Sequence, residues 1–311
     1  MENLIEARQI TKIYPDGTVA LRNVDFSVRP GEVMGLLGEN GAGKTTLTKI
    51  LSGLLSPTTG TIFWKGNPTR FSSPREALLA GIGMVHQHFK LVLPHTVAEN
   101  VALGLRGTPF WAPAKAIAQK IRELSQLYGL PVDPDRRIWE LSAGEQQRVE
   151  ILKALIRGAE VLILDEPTSV LTPQETAELF KVLSRMKEEG HGIIFISHKL
   201  DEVLAIADRI TVMRRGKVVG TVLAKDTNKA ELARMMVGRE VVFRLSKAVC
   251  QPGEAALRVE DLHARNDRGL PALKGVSFHI CRGEILGIAG IAGNGQRELV
   301  EVLTGLRRAE K

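Results

Sequence analysis

The first 243 residues alternate between two hydrophobic rhythms. Short wholly apolar runs, Val33 to Leu37, Val161 to Leu164 and Ile193 to Ile196, are bounded by glycine, proline and polar residues. A strand that is apolar at every position has both faces buried, as in a parallel sheet covered by helices on each side. Between these runs lie longer stretches with apolar residues every three or four positions, such as Ala114 to Tyr128, which is the spacing of an amphipathic helix. One helix is marked at both ends: Thr172 caps it, Pro173 takes the first turn, Glu175 completes a capping box and Gly190 follows its end. The class is α/β with a largely parallel core.

The pattern then repeats. A shift of 252 positions lays the segment starting at Ala20 onto the segment starting at Ala272 without a gap, so a second copy of the opening domain begins near Leu257. The stretch around Arg244 to Glu254 is polar, holds a Pro-Gly pair and lacks periodicity. These features predict a complete domain over 1–243, a linker over 244–256 and the start of a second domain over 257–311.

Composition changes this picture little. With 311 residues, 44% of them hydrophobic, the chain has enough apolar surface for a full core, which excludes a disordered protein. No stretch approaches the roughly 20 apolar residues needed to cross a bilayer, and residues 1–12 have no signal-peptide pattern, so the chain is expected in the cytosol. Cys250 and Cys281 lack metal or redox spacing. The net charge of +7 suits a nucleotide, an anionic lipid or nucleic acid, but the basic residues are scattered and aromatics are few.

Three segments carry chemistry. Gly38, Glu39, Asn40, Gly41, Ala42, Gly43, Lys44 and Thr45 fit G-x-x-x-x-G-K-[ST] after an apolar strand and at the start of a helix running on from Thr46. Glycines let successive N–H groups face phosphates, the helix start adds partial positive charge, Lys44 reaches the terminal phosphates and Thr45 offers a hydroxyl to Mg²⁺. The run Val161 to Glu166 places Asp165 and Glu166 where a buried strand emerges at the carboxyl edge of the sheet. Asp165 there suits Mg²⁺ and Glu166 suits a general base for water; a solvated turn is the alternative. His198 ends a further apolar run and is placed to hold phosphate and water, or is structural.

In the third segment, Ser142, Ala143, Gly144, Glu145 and Gln146 follow Leu141, and Ser142 with Glu145 also forms a plain capping box. With the phosphate loop upstream and LILDEPTS downstream, this string resembles the signature of ATP-binding cassette (ABC) ATPases. The resemblance covers residues 1 to 240. It implies a P-loop ABC cassette with a mainly parallel core sheet, an antiparallel β region near the N-terminus and a helical subdomain over about 88–158. It further implies that Tyr14 stacks on adenine, although a tyrosine packed on the sheet edge reads the same. By the same resemblance Gln87 senses Mg²⁺ and links the site to the helical subdomain, making Thr45, Gln87 and Asp165 the Mg²⁺ set. Gln87 joins Glu166 and His198 as the catalytic group. The flanking His86 and His88 lack a third ligand for a protein-only metal site. Thr172 stands where many members have aspartate, which concerns a contact across a pair of cassettes.

The strings VHQHFKLVLPHTVAENV, LSAGEQQRVEILKAL and ELARMMVGRE look like the ATPase subunits of bacterial importers for simple sugars and nucleosides. That resemblance implies ATP and Mg²⁺ as ligands, membrane permease subunits as direct partners, a substrate-binding protein as an indirect one, no nucleic acid, and a peripheral position on the cytoplasmic face of the inner membrane. Under the 252 shift Lys44 becomes Gln296, Thr45 becomes Arg297 and Thr46 becomes Glu298, so the second phosphate loop is degenerate. Each complete ABC site joins the phosphate loop of one cassette to the signature of another. The partner signature is therefore expected beyond Lys311 in a longer chain, or from a second copy. The alternative class, a soluble ABC ATPase acting on ribosomes or nucleic acid, would carry long charged helical insertions that this sequence lacks.

Overall fold

The computed structural model describes residues 2–87, 89–105, 113–238, 252–267, 269–290 and 293–310. His88, Cys250 and linker residues 244–251 lie outside the described residues. The chain divides into two compact units, Met1–Val241 and Val242–Lys311.

The first unit is built on two sheets. In the larger, the order is β10 (Lys217–Leu223), β9 (Arg209–Arg214), β3 (Val33–Leu37), β8 (Gly192–Ile196), β7 (Val161–Asp165) and β6 (Ile82–Val85). All neighbours are parallel except β10, which returns antiparallel along β9 at the edge. The wholly apolar runs form its centre: every residue of β3 and β8 is buried, because helices cover one face and the antiparallel sheet with α1 covers the other. The second sheet is antiparallel, in the order β2 (Val19–Val28), β1 (Ile5–Ile13), β4 (Thr59–Trp64) and β5 (Asn67–Thr69).

Two cores follow from this layout. Alternate residues of the central strands face opposite ways, so Met34, Leu36, Ile163 and Ile194 pack with the antiparallel sheet and α1 (Lys44–Leu51). Val33, Leu37, Leu162, Leu164, Ile193 and Phe195 instead face α6 (Pro173–Glu188) and the helices α3 (Val97–Ala102), α4 (Pro113–Tyr128) and α5 (Ala143–Ile156). The capping box expected at α6 is present: the Glu175 N–H donates to Thr172 Oγ1 over 3.2 Å, and the Thr172 N–H donates to Glu175 Oε2 over 2.9 Å. Shorter helices α2 (Pro74–Ala80), α7 (Leu200–Ile206) and α8 (Lys229–Val237) complete the unit. No helix among the described residues is long and apolar enough to cross a membrane.

The second unit repeats the opening of the first. Its strands β11 (Ala255–Arg265) and β12 (Pro271–Cys281) pair antiparallel, and α9 (Gln296–Leu303) begins 252 positions after α1. A small core of Val259, Leu262, Ala264, Leu273 and Leu299 holds them together. Even the bulge recurs, since Gln9 and Asp261 both take positive φ, 51° and 44°. The apolar run matching β3 forms no strand: Ile285 is 87% exposed, whereas β3 is buried between β8 and β9. Among the described residues no strand pairs with 285–289.

Candidate functional site

Four neighbouring parallel strands, β3, β8, β7 and β6, end along one edge of the large sheet, and a candidate group follows or ends each of them. The phosphate-loop sequence leaves β3, His198 comes after β8, Asp165 and Glu166 close β7, and Gln87 comes after β6. Strand order therefore gathers residues far apart in sequence at the carboxyl edge, where open parallel sheets bind ligands.

The loop from Gly38 to Gly43 is compact. A β-carbon on Gly38 would lie 2.5 Å from the Met213 carbonyl oxygen, and Gly43 holds φ at 104° with the Ala20 carbonyl 2.9 Å from where its β-carbon would be. Both positions therefore require glycine. The Ala42 N–H donates to the Glu39 carbonyl over 3.0 Å, closing the curl, while Glu39, Asn40 and Gly41 are exposed at its crest. The helix that follows has no acidic residue in its first turn, so nothing offsets the partial positive charge of its free N–H groups. Lys44 is only 9% exposed, and its ammonium donates to the carbonyls of Gly38 over 2.7 Å and Glu39 over 3.1 Å. Burial lowers its pKa, opposed by the charges of Glu166 and Asp165.

Around the loop, Thr45 is exposed and Thr46 half-buried, with the Thr46 hydroxyl 3.3 Å from that of Tyr14. The Lys12 ammonium lies 5.8 Å from the Tyr14 ring centre. Tyr14 thus stands beside the phosphate loop, in contact with the first turn of α1.

Across the edge, burial raises the pKa of Asp165 and the neighbouring Glu166 raises it further, against the lowering influence of His86, Lys44 and Lys49. This carboxylate is short of compensating charge, which fits a cation site. Because its folded pKa lies above the unfolded one, its contribution to stability falls as pH rises from the unfolded toward the folded value. Above that window the ionised group is a cost that Asp165→Asn removes. We expect the ligand-free variant to melt higher at pH 7.5 by roughly 2–4 °C, the effect of ~1 kcal/mol in a domain of this size. The gain should shrink toward pH 3.5, and Mg²⁺ should no longer add to the stabilisation by ATP. Equal melting temperatures at pH 7.5, measured by calorimetry, would contradict this account.

Glu166 is held from two sides. Its Oε2 accepts from Gln87 Nε2 over 3.1 Å, and its Oε1 lies 3.2 Å from His198 Nδ1. Its backbone adopts φ 48°, the left-handed region that side chains rarely occupy, and its N–H donates to Ile196 at the end of β8 over 3.0 Å. That conformation turns the chain off β7 directly beside His198. A residue that sequence reasoning missed supports this turn. Glu202, in the first turn of α7, accepts from Thr168 Oγ1, from Ser197 Oγ over 3.2 Å and from Lys199 Nζ over 2.9 Å. It fixes the loops after β7 and β8 to one another. Ser197 and Lys199 are local to Glu202, but Thr168 is 34 positions away, so no motif marked the network.

The signature segment sits elsewhere on the first unit, at the start of α5. Ser142 is the cap: its Oγ accepts from the Glu145 N–H over 3.2 Å, and its own N–H donates to Glu145 Oε2 over 2.8 Å. Arg136 holds Glu145 Oε1 at 3.0 Å, and Gln146 Nε2 donates to the Leu141 carbonyl over 3.1 Å. Ser142 is exposed while Gly144 is buried, and Ala143 lies between them in exposure.

In the second unit the loop chemistry is gone. At the start of α9, Gln296 replaces the ammonium, Arg297 is paired with Glu301 at 2.7 Å, and Glu298 puts a carboxylate in the first turn. Like charge beside a phosphate disfavours binding there.

Fold and loop together define a P-loop nucleotide-binding cassette. Residues 21–169 match the family described as ABC transporter. The chain is 50% identical, over 99% of its length, to a nucleoside import ATP-binding protein of Lactococcus lactis. It is 49% identical, over 98% of its length, to a glucose import ATP-binding protein of Haloferax volcanii. It spans 61% of the length of each. Among solved structures, a cassette of Clostridium perfringens that is part of an ABC transporter complex aligns with TM-score 0.66 and 29% identity, over 76% of this chain and 95% of that one. A dimeric bacterial ABC transporter cassette aligns with TM-score 0.61 and 27% identity, over 71% and 98%. The first unit therefore contains an ABC transporter ATP-binding cassette, a fold that binds ATP.

Proposed function

We propose that this chain is the ATP-hydrolysing component of an ABC importer for nucleosides or simple sugars, working at the cytoplasmic face of the membrane with permease subunits and, through them, a substrate-binding protein. The observation that carries the hydrolytic reading is the convergence of Gln87 and His198 on the Glu166 carboxylate, at the same sheet edge as Lys44. The import class rests on relatives named for nucleoside and glucose import.

In this reading the loop N–H groups from Glu39 to Thr46 and the Lys44 ammonium hold the β- and γ-phosphates, and Tyr14 carries the base. Thr45, Asp165 and Gln87 would hold Mg²⁺, which neutralises phosphate charge when bound. Glu166 orients water and accepts its proton, with its two oxygens kept in place by Gln87 and His198. His198, two residues past the end of β8, donates toward the γ-phosphate.

Ser142 and Gly144 stand at the start of α5, so we assign them to a nucleotide held by another cassette. The only complete phosphate loop among the described residues is the one in the first unit. A site complete with a signature thus needs a second cassette, from a longer chain or a second copy. Phosphate release by the 311-residue chain tests this. Mg²⁺-dependent release whose rate per chain rises with chain concentration is expected; no release at any concentration would overturn the hydrolytic reading.

A further inference from the structure

The first turn of the signature helix contains one buried N–H group, that of Gly144. The first N–H groups of a helix have no intrahelical acceptor, and a buried one needs a partner. Ser142 Oγ serves the N–H of Glu145, which leaves the N–H of buried Gly144, one residue earlier, without an acceptor from its own cap. What lies against Gly144 is the carboxylate of Glu175: its Oε1 occupies the space that a β-carbon on Gly144 would fill. The other oxygen of the same carboxylate, Oε2, accepts from the Thr172 N–H over 2.9 Å and from Thr172 Oγ1 over 3.0 Å. One carboxylate therefore touches both the end of segment 169–172, which leads away from Glu166, and the first turn of α5.

The surroundings favour this bridge. Hydrogen bonding to Thr172 holds the Glu175 carboxyl below the usual carboxylate range, with Arg148 and the Gly144 N–H acting in the same direction. Arg148, on α5, also pairs with Glu178 one turn along α6 at 2.5 Å, a further contact between the two helices. A β-carbon on Gly144 would lie 2.4 Å from Glu175 Oε1, so a side chain there would push the carboxylate out of this seat.

We propose that Glu175 is a positioning residue. It fastens the segment following Glu166 to the signature helix, so that the state of a cassette's own nucleotide reaches the signature that it offers to another cassette. The proposal rests on the composite-site reading above. Glu175 touches no part of the phosphate loop, so its role is in turnover and not in the affinity of an isolated loop for ATP.

The test compares the wild-type chain with Glu175→Ala and with the isosteric Glu175→Gln, by amide hydrogen exchange and by ATP kinetics. Without nucleotide, exchange of the Gly144 amide should quicken about tenfold in Glu175→Ala, the order expected for losing a hydrogen bond to a charged acceptor. In Glu175→Gln it should quicken less, because the amide oxygen still accepts. With MgATP, KM should stay within about twofold while kcat falls about tenfold in Glu175→Ala and by an intermediate factor in Glu175→Gln. Unchanged exchange at Gly144, exchange that quickens equally in every helix, or an unchanged kcat would each overturn the proposal. A wild-type chain that releases no phosphate would overturn the hydrolytic reading and this role with it; exchange at Gly144, which needs no nucleotide, would still tell a missing tether from a missing reaction.

Discussion

Lys44→Ala is expected to weaken ATP binding at least about a hundredfold while leaving the fold intact. Its ammonium is a charged donor seated inside the loop curl, held there by the carbonyls of Gly38 and Glu39. A hydrogen bond to a charged group contributes ~1.5–3 kcal/mol, and phosphate presents more than one acceptor, so two orders of magnitude in Kd is the lower end of the loss. Stability should not suffer, because burial already lowers the lysine pKa and alanine removes a desolvated charge. Titration calorimetry checks the first statement and thermal melting the second. Retained binding would mean that the loop glycines and the helix start suffice without the ammonium.

The second large effect separates binding from chemistry. Glu166→Gln keeps the size and shape of the side chain, so Gln87 and His198 retain a partner on the same backbone turn. What is lost is the ability to take a proton from water, worth ~10²- to 10⁴-fold in rate for a positioned general base. Turnover should fall by that factor and ATP affinity should hold or tighten, since a negative charge near Lys44 and Asp165 has been removed. Single-turnover phosphate release beside equilibrium binding reads both. A variant with normal turnover would place the base elsewhere, and one that lost both properties equally would make Glu166 a structural residue of the turn.

How much of this was legible in the sequence depended on whether a feature is local. The buried strands β3, β7 and β8 read directly, because a strand covered on both faces is apolar at every position. The capping boxes at Ser142 and Thr172 read for the same reason, with cap and acid three residues apart. The antiparallel sheet was harder, and the resemblance rather than periodicity brought it in. A bulge at Gln9 breaks the alternation of β1, so burial along that strand does not keep a period of two.

Long-range contacts left no mark in spacing or periodicity, and Gln87 entered only through the resemblance. Gln87 and Glu166 are 79 positions apart and meet because β6 and β7 are neighbours; the Glu202 network and the contact of Glu175 with Gly144 likewise depend on which helices pack together. The run 285–289 shows the converse. Its apolar residues match β3, yet a strand exists only with neighbours to bond, and none pairs with it among the described residues.

This chain carries one intact phosphate-loop sequence, in its first unit, and a degenerate one in its second. Counting ATP bound per chain by titration calorimetry tests it most directly. One site per wild-type chain and none in Lys44→Ala is expected; two sites per chain, or one that persists in Lys44→Ala, would mean that ATP binds outside the Gly38–Thr46 loop.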